Sequence, residues 1–231
     1  MPWRAISSAS ANCGKNDRLR LVSGRFITVE GVEGVGKTTS IGFVAAHLRS
    51  AGVEVRTTRE PGGTPLAERL REMLLHPGEP LGSEAELLLM FAARSVHLEN
   101  AVRPALARGQ WVVCDRFTDA TRAYQGGGRG QPADRIEQLA AWVQRGLEPD
   151  LTILLDAPPE VTEVRRRHRG ADDRFERESD RFHARVRNAY LQLARRWPQR
   201  IRLVDASDSP DQVHPRLADL LDSTVLKELS R

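Results

Sequence analysis

Several things are scarce in this 231-residue chain, and each scarcity removes a class of function. There are two cysteines, Cys13 and Cys114, far apart and in no CxxC or cysteine–histidine pattern, so neither a disulfide framework nor a zinc module is expected. A reduced, cytoplasmic setting follows as the simplest expectation. No apolar run approaches the ~18 residues that would cross a bilayer. The first 24 residues hold no continuous apolar segment of the secretory kind. The six histidines (His47, His76, His97, His168, His183 and His214) fall into no metal-spaced set and no Ser-His-Asp or Cys-His grouping, and read as structural or surface residues. No internal repeat is visible, and the guanine-reading NKxD stretch is absent.

An excess of charge is missing too. The net charge is +4, of which residues 1–24 carry +3 through Arg4, Lys15, Arg18 and Arg20 against Asp17. The remainder is nearly neutral, which argues against a nucleic-acid footprint over the whole domain. The densest basic run, from Arg165 through Arg169 to Arg174, has no aromatic residues interleaved for base stacking. It reads instead as a lid at about 165–177, with Gly170 as a turning point and arginines that close over a ligand. Residues 1–24, rich in Ser, Ala, Asn and Gly, read as a disordered extension, a transit segment being the less favoured alternative.

What is present is punctuated by one motif. Gly31-Val32-Glu33-Gly34-Val35-Gly36-Lys37-Thr38 follows the apolar stretch 25–30 and precedes a helical stretch at 38–49. It fits GxxxxGK[ST], in which backbone N–H groups cradle phosphates, the Lys reaches the β- and γ-phosphates and the hydroxyl ligates Mg²⁺. Further apolar strands are expected at 53–57, 111–114, 151–155 and 201–204. Between them lie helices at 66–75, from a Ser83–Glu86 capping box to a break or kink near Val102 caused by Pro104, and at 133–145, 159–167, 178–196 and 210–224. Continuous apolar strands alternating with helices predict a parallel sheet covered on both faces.

Ligands gather at the carboxyl ends of such strands. That rule brings the 31–38 loop together with Arg59–Gly63, Asp115–Arg116 and Asp205. Arginines suited to forking phosphate are Arg59, Arg71, Arg94 and Arg116. Asp115 and Asp156 both end apolar strands, and Asp115 is the favoured Mg²⁺ partner because a basic residue follows it; Asp156 could equally cap the next helix.

These residues resemble a known family. The stretches Phe26–Thr39, Thr58–Thr64, Phe91–Arg94, Asp115–Phe117, Ala123–Gly130 and Asp173–Glu176 are similar, in order, to bacterial thymidylate kinases. The resemblance implies an α/β, three-layer P-loop NTPase fold with a five-stranded parallel sheet over residues 25–231. It implies transfer of phosphate from ATP to dTMP, giving dTDP, with Mg²⁺, and a homodimer that binds neither nucleic acid nor membrane. For the donor it assigns Gly31, Val32, Glu33, Gly34, Val35, Gly36, Lys37, Thr38 and Thr39, with Arg169; Thr38 and Asp115 face the metal. For the acceptor it assigns Arg59, Pro61, Arg71, Met90, Phe91, Arg94, Arg116, Thr121, Tyr124 and Gln125. Arg71 and Arg116 match phosphate ligands, Arg94 and Gln125 match base contacts, and Thr121 and Tyr124 match the wall near the sugar. Lys37, Glu33, Asp115, Arg116 and Arg174 carry the chemistry, Arg174 as the lid arginine of the subgroup whose phosphate loop lacks a basic residue. The family's thymine-stacking Phe falls at Met90 here, leaving the stack to Met90 or to Phe91.

Overall fold

The computed structural model describes residues 24–169 and 174–227, without the side chains of 167–169. The expectations for residues 1–23, for the middle of the lid and for the Arg169 side chain fall outside the described residues. Five strands, β1 (Phe26–Glu30), β2 (Val55–Arg59), β3 (Trp111–Asp115), β4 (Leu151–Asp156) and β5 (Ile201–Asp205), pair in parallel in the order β2-β3-β1-β4-β5. The helices are α1 (Lys37–Ser50), α2 (Pro65–Leu75), α3 (Ser83–His97), α4 (Arg103–Ala107), α5 (Thr118–Thr121), α6 (Ala133–Gln144), α7 (Pro159–Arg169), α8 (Asp180–Arg196) and α9 (Pro210–Leu221).

Strand composition explains the order. The residues of β1 are all buried, as are nearly all of β3 and β4, whereas β2 and β5 alternate between buried and open. Central strands bury both faces, so they read as continuous apolar runs; edge strands need only one. The pleat divides β1 and β3 between two cores: Ile27, Val29, Trp111 and Val113 point into one, Phe26, Val112 and Cys114 into the other. Pairing of Val55 with Trp111 through Arg59 with Asp115 moves β2 two residues beyond its expected span, so that Arg59 and Asp115 finish side by side.

Two local expectations change. Pro104 does not end a helix: α3 passes through a wide π-type turn at Leu98–Val102 directly into α4, a distortion that spares the carbonyl four residues before the proline. The capping box at 83–86 does not form. Gly82 is the cap, and Glu86 is buried in a polar cluster described below. A second wide turn, Arg122–Gly128, uses glycines for close approach to α8. A Cβ on Gly127 would lie 2.5 Å from the Ala189 methyl, and one on Gly128 2.5 Å from the Phe182 ring.

Candidate active site

The phosphate loop runs from the end of β1 into α1, with Gly31, Gly34 and Gly36 at positive φ. Lys37 folds back over it, its Nζ donating to the carbonyls of Gly31 (3.2 Å) and Val32 (3.1 Å). Burial and the neighbouring Arg116 charge lower the Lys37 ammonium to about 8. Gly34, Gly36, Lys37, Thr38 and Thr39 line one hollow with Asp115 and Arg165. Asp115 Oδ1 is buried there with no hydrogen-bond partner among the described residues. A carboxylate oxygen without a partner, in a residue that lines the same hollow as Thr38, fits a hard divalent cation carried in on phosphates. Among the described residues no group of three or more His, Cys, Asp or Glu side chains could hold a metal alone.

Arg116 sits at φ 69°, a left-handed backbone that costs a non-glycine residue about 1–3 kcal/mol. The turn aims its guanidinium back across the sheet edge. There it donates to Glu33 Oε1 (2.7 Å) and to the hydroxyls of Tyr124 (3.0 Å) and Tyr190 (3.1 Å). Tyr124 donates to the other Glu33 oxygen, and Tyr190 to Glu30 Oε2 at 2.7 Å. Burial opposes ionisation of Glu33, but the charges of Arg116 and Lys37 and the Tyr124 hydroxyl prevail and hold it at about 2. Glu30 responds the other way. Burial, reinforced by Asp119, raises it to about 8, against the smaller pull of Arg116.

Beyond Arg116 opens a second hollow. Its walls include Pro61, Arg71, Met90, Arg94, Phe117, Thr121, Tyr124, Gln125 and Phe175. Glu33, Arg71 and Arg116 line both hollows. Arg71 is held by the Pro61 carbonyl at 3.0 Å, after a cis Glu60–Pro61 bond. Arg94 is buried on α3, donating to Glu60 Oε2 (2.7 Å) and Thr121 Oγ1 (2.9 Å). Glu60 also accepts from His97 Nδ1 (2.9 Å), whose other ring nitrogen lies 2.7 Å from the Thr58 hydroxyl. The remaining amine of Arg94, Nη1, is buried and has no partner among the described residues. A buried donor left open on a cavity wall is costly unless a ligand atom meets it.

Of the expected site residues, the structure brings together the loop, Asp115, Arg116, Arg71, Arg94, Pro61, Met90, Thr121, Tyr124 and Gln125. Met90 rather than Phe91 forms the wall; Phe91 is buried below, its ring 4.8 Å from the Arg94 guanidinium. Arg59 lines neither hollow: its guanidinium is half-exposed and paired with Glu68 at 2.8 Å. Arg174 is likewise turned from the loop, donating to the Leu74 carbonyl and to Glu86 Oε2 (2.7 Å). Arg165 is a clamp at the expected lid's start, binding the carbonyls of Ala206, Ser207 and Asp208. Asp156 is bridged by two Arg187 bonds of 2.7 and 2.8 Å. Asp205 accepts from Ser207.

Sequence reasoning missed Glu30, Glu60, Glu86, Phe117 and Tyr190. Only Glu30 left a signal, a carboxylate ending a wholly apolar strand. A third hollow past the loop, with Ala206, Pro210, Val213 and His214 on its walls, was also missed.

A glycine loop between β1 and α1, an open acid at the end of β3 and arginines shared with an adjoining cavity define a P-loop phosphotransferase with a separate acceptor pocket. The comparisons narrow this. The thymidylate kinase family model matches residues 29–217. Thymidylate kinase of Thiobacillus denitrificans is 58% identical over 198 residues, covering 86% of this chain and 96% of that protein. The Pseudomonas putida enzyme is 55% identical over 205 residues, covering 88% and 98%. The crystal structure of thymidylate kinase from Ehrlichia chaffeensis superposes with a TM-score of 0.70 at 33% identity, covering 86% of this chain and 99% of that one. The chain belongs to the thymidylate kinase family.

Proposed function

We propose a division of labour in which the two hollows hold donor and acceptor of one phosphoryl transfer. The reaction is ATP-dependent phosphorylation of dTMP to dTDP. The observation that carries the division is the shared wall: Glu33, Arg71 and Arg116 face both hollows, so a group crossing between them stays under two guanidinium groups. Phosphoryl transfer depends mostly on such positioning and charge. Gly31–Thr39 and Lys37 bind the donor phosphates, and the apolar hollow at Ala206–His214 takes the donor base. Thr38 and Asp115 hold Mg²⁺, which when bound supplies positive charge to the phosphates. Arg71 and Arg116 bind the acceptor phosphate, and Glu33 orients Arg116.

On the acceptor side, Arg94 Nη1 supplies a donor to a base oxygen, and Gln125 supplies the second base contact. Met90 and Phe117 border the base, with Thr121 and Tyr124 on the sugar side. Arg174 serves the transferring group after leaving Glu86, and Arg169 assists at the donor. Residues 25–231 form one kinase domain.

The enzyme is a cytoplasmic homodimer in this reading. Exposed Leu66 and Met73 on α2, Leu88 on α3 and Trp142 on α6 support the dimer, since these helices adjoin; a monomer in sedimentation at micromolar concentration would overturn it. The buried free Cys114 suits a reducing compartment. With ATP and Mg²⁺, the purified protein is expected to phosphorylate dTMP far faster than dCMP, dGMP or UMP. Equal rates across that panel would sink the reading.

A further inference from the structure

Glu86 is the least accounted-for group near the site. It lies in the first turn of α3, 1% exposed, and touches no part of the phosphate loop. Its carboxylate collects donors from three side chains: Gln125 Nε2 on Oε1 at 2.8 Å, Arg129 Nε on Oε2 at 3.2 Å and Arg174 Nη2 on Oε2 at 2.7 Å. Arg129 also reaches Oε1 at 3.4 Å and pairs with Glu178.

A carboxylate under two guanidinium groups acts only as an acceptor. The two ends of a glutamine amide are nearly equal in shape and opposite in hydrogen bonding. Facing Glu86, Gln125 therefore has to turn its NH₂ inward, and the end it keeps for the cavity is the carbonyl oxygen. Arg94 lines the same pocket, and its buried Nη1 is a donor without a partner among the described residues. The pocket thus offers one donor and one acceptor with fixed polarity. Thymine presents O4 as an acceptor and N3–H as a donor. Cytosine presents the reverse, an amino donor and a bare N3 acceptor.

We propose that Glu86, which lines neither hollow, is a specificity-determining positioning residue: it fixes which end of the Gln125 amide reads the acceptor base. This inference rests on the reading that the second hollow receives dTMP. A site that hydrogen-bonds a base edge rejects the wrong edge strongly because buried groups are then left unpaired. Releasing the amide lets Gln125 present its NH₂ instead and removes that rejection.

The probe is 5-methyl-dCMP, which keeps the methyl group, sugar and phosphate of dTMP and reverses only the base edge. The readout is the ratio of kcat/KM for dTMP to that for 5-methyl-dCMP, with ATP and Mg²⁺. Glu86→Gln is expected to lower this ratio about tenfold or more. Glu86→Asp, which keeps an acceptor, and Arg174→Met, which keeps Glu86, are expected to change absolute rates and leave the ratio near that of the wild type. Should Glu86→Gln not fold, as judged by circular dichroism, Glu86→Asp against Glu86→Asn repeats the comparison one methylene shorter. Equal falls with both nucleotides, at an unchanged ratio, overturn the role of Glu86. A wild-type protein indifferent to the two nucleotides instead overturns the reading of the pocket beneath it.

Discussion

The two halves of the site are built in different ways. The donor half is mostly backbone: one loop of consecutive residues, its glycines at positive φ, with the Lys37 and Asp115 side chains added. The acceptor half is assembled from side chains on the loop after β2, on α2 and α3 and on the turn at 122–128, held by buried polar networks centred on Glu60, Glu86 and Glu30. Backbone cradles tolerate much substitution around them. Side-chain networks do not, because removing one partner strands another buried polar group.

This contrast can be broken in order of expected effect. Arg116 belongs to both halves, and Arg116→Met is expected to lower kcat/KM about 10³-fold for ATP and dTMP alike. It also leaves Glu33 without its buried cation, costing about 3–5 kcal/mol of stability. Steady-state kinetics with each substrate varied in turn would reveal a loss confined to one of them, and that would separate the halves more sharply than the shared wall implies. Arg94→Lys keeps a cation beside Glu60 but withdraws the open Nη1. The KM for dTMP is expected to rise roughly 10- to 100-fold with the KM for ATP unmoved, since one base contact is worth about 1–3 kcal/mol. A matching rise for ATP would show that the two pockets are not independent.

The last test reads stability instead of rate and concerns Glu30, behind the acceptor half. In the folded protein it titrates at about 8 instead of 4.5. Below pH 4.5 both states hold the proton. As pH rises from 4.5 toward 8 the unfolded chain releases it and the folded chain does not, so stability falls over that window, by at most about 1.4 kcal/mol per pH unit. Glu30→Gln mimics the protonated acid, and its Tm relative to the wild type is expected to climb between pH 5 and pH 8. Parallel Tm curves would remove Glu30 from this role.

The same contrast explains what could be read from the chain. The donor half is contiguous, so Gly31–Thr38 announces itself, and the central strands are legible because burial on both faces writes them as apolar runs. β2 was displaced by two residues because an edge strand's span is set by its pairing with Trp111–Asp115. In the acceptor half, Arg71, Arg94 and Arg116 stood out as arginines suited to phosphate, while their separate roles and Gln125 came through family resemblance. Glu60, Glu86 and Tyr190, the partners of Arg94, Gln125 and Arg116, are ordinary helix and loop residues in sequence, and become functional only through contacts across 34, 39 and 74 positions. The presumed cap at Glu86 shows the cost of local rules: Ser-x-x-Glu is a capping pattern, yet this glutamate is taken by three distant donors.

One consequence of the loop's packing reaches beyond this chain's chemistry. Val32 and Val35 are buried in the core, and Glu33 is bound by Arg116 and Tyr124. A Cβ on Gly34 would stand 2.4 Å from the Thr162 carbonyl of α7. Gly36 has open space, but its φ of 100° resists any side chain. At Gly34, therefore, a basic residue cannot enter without shifting α7. A loop with an arginine at that position needs α7 placed differently. The two designs are separated by a rearrangement of α7, and a chimera that grafts only the loop sequence is expected to misfold at this contact.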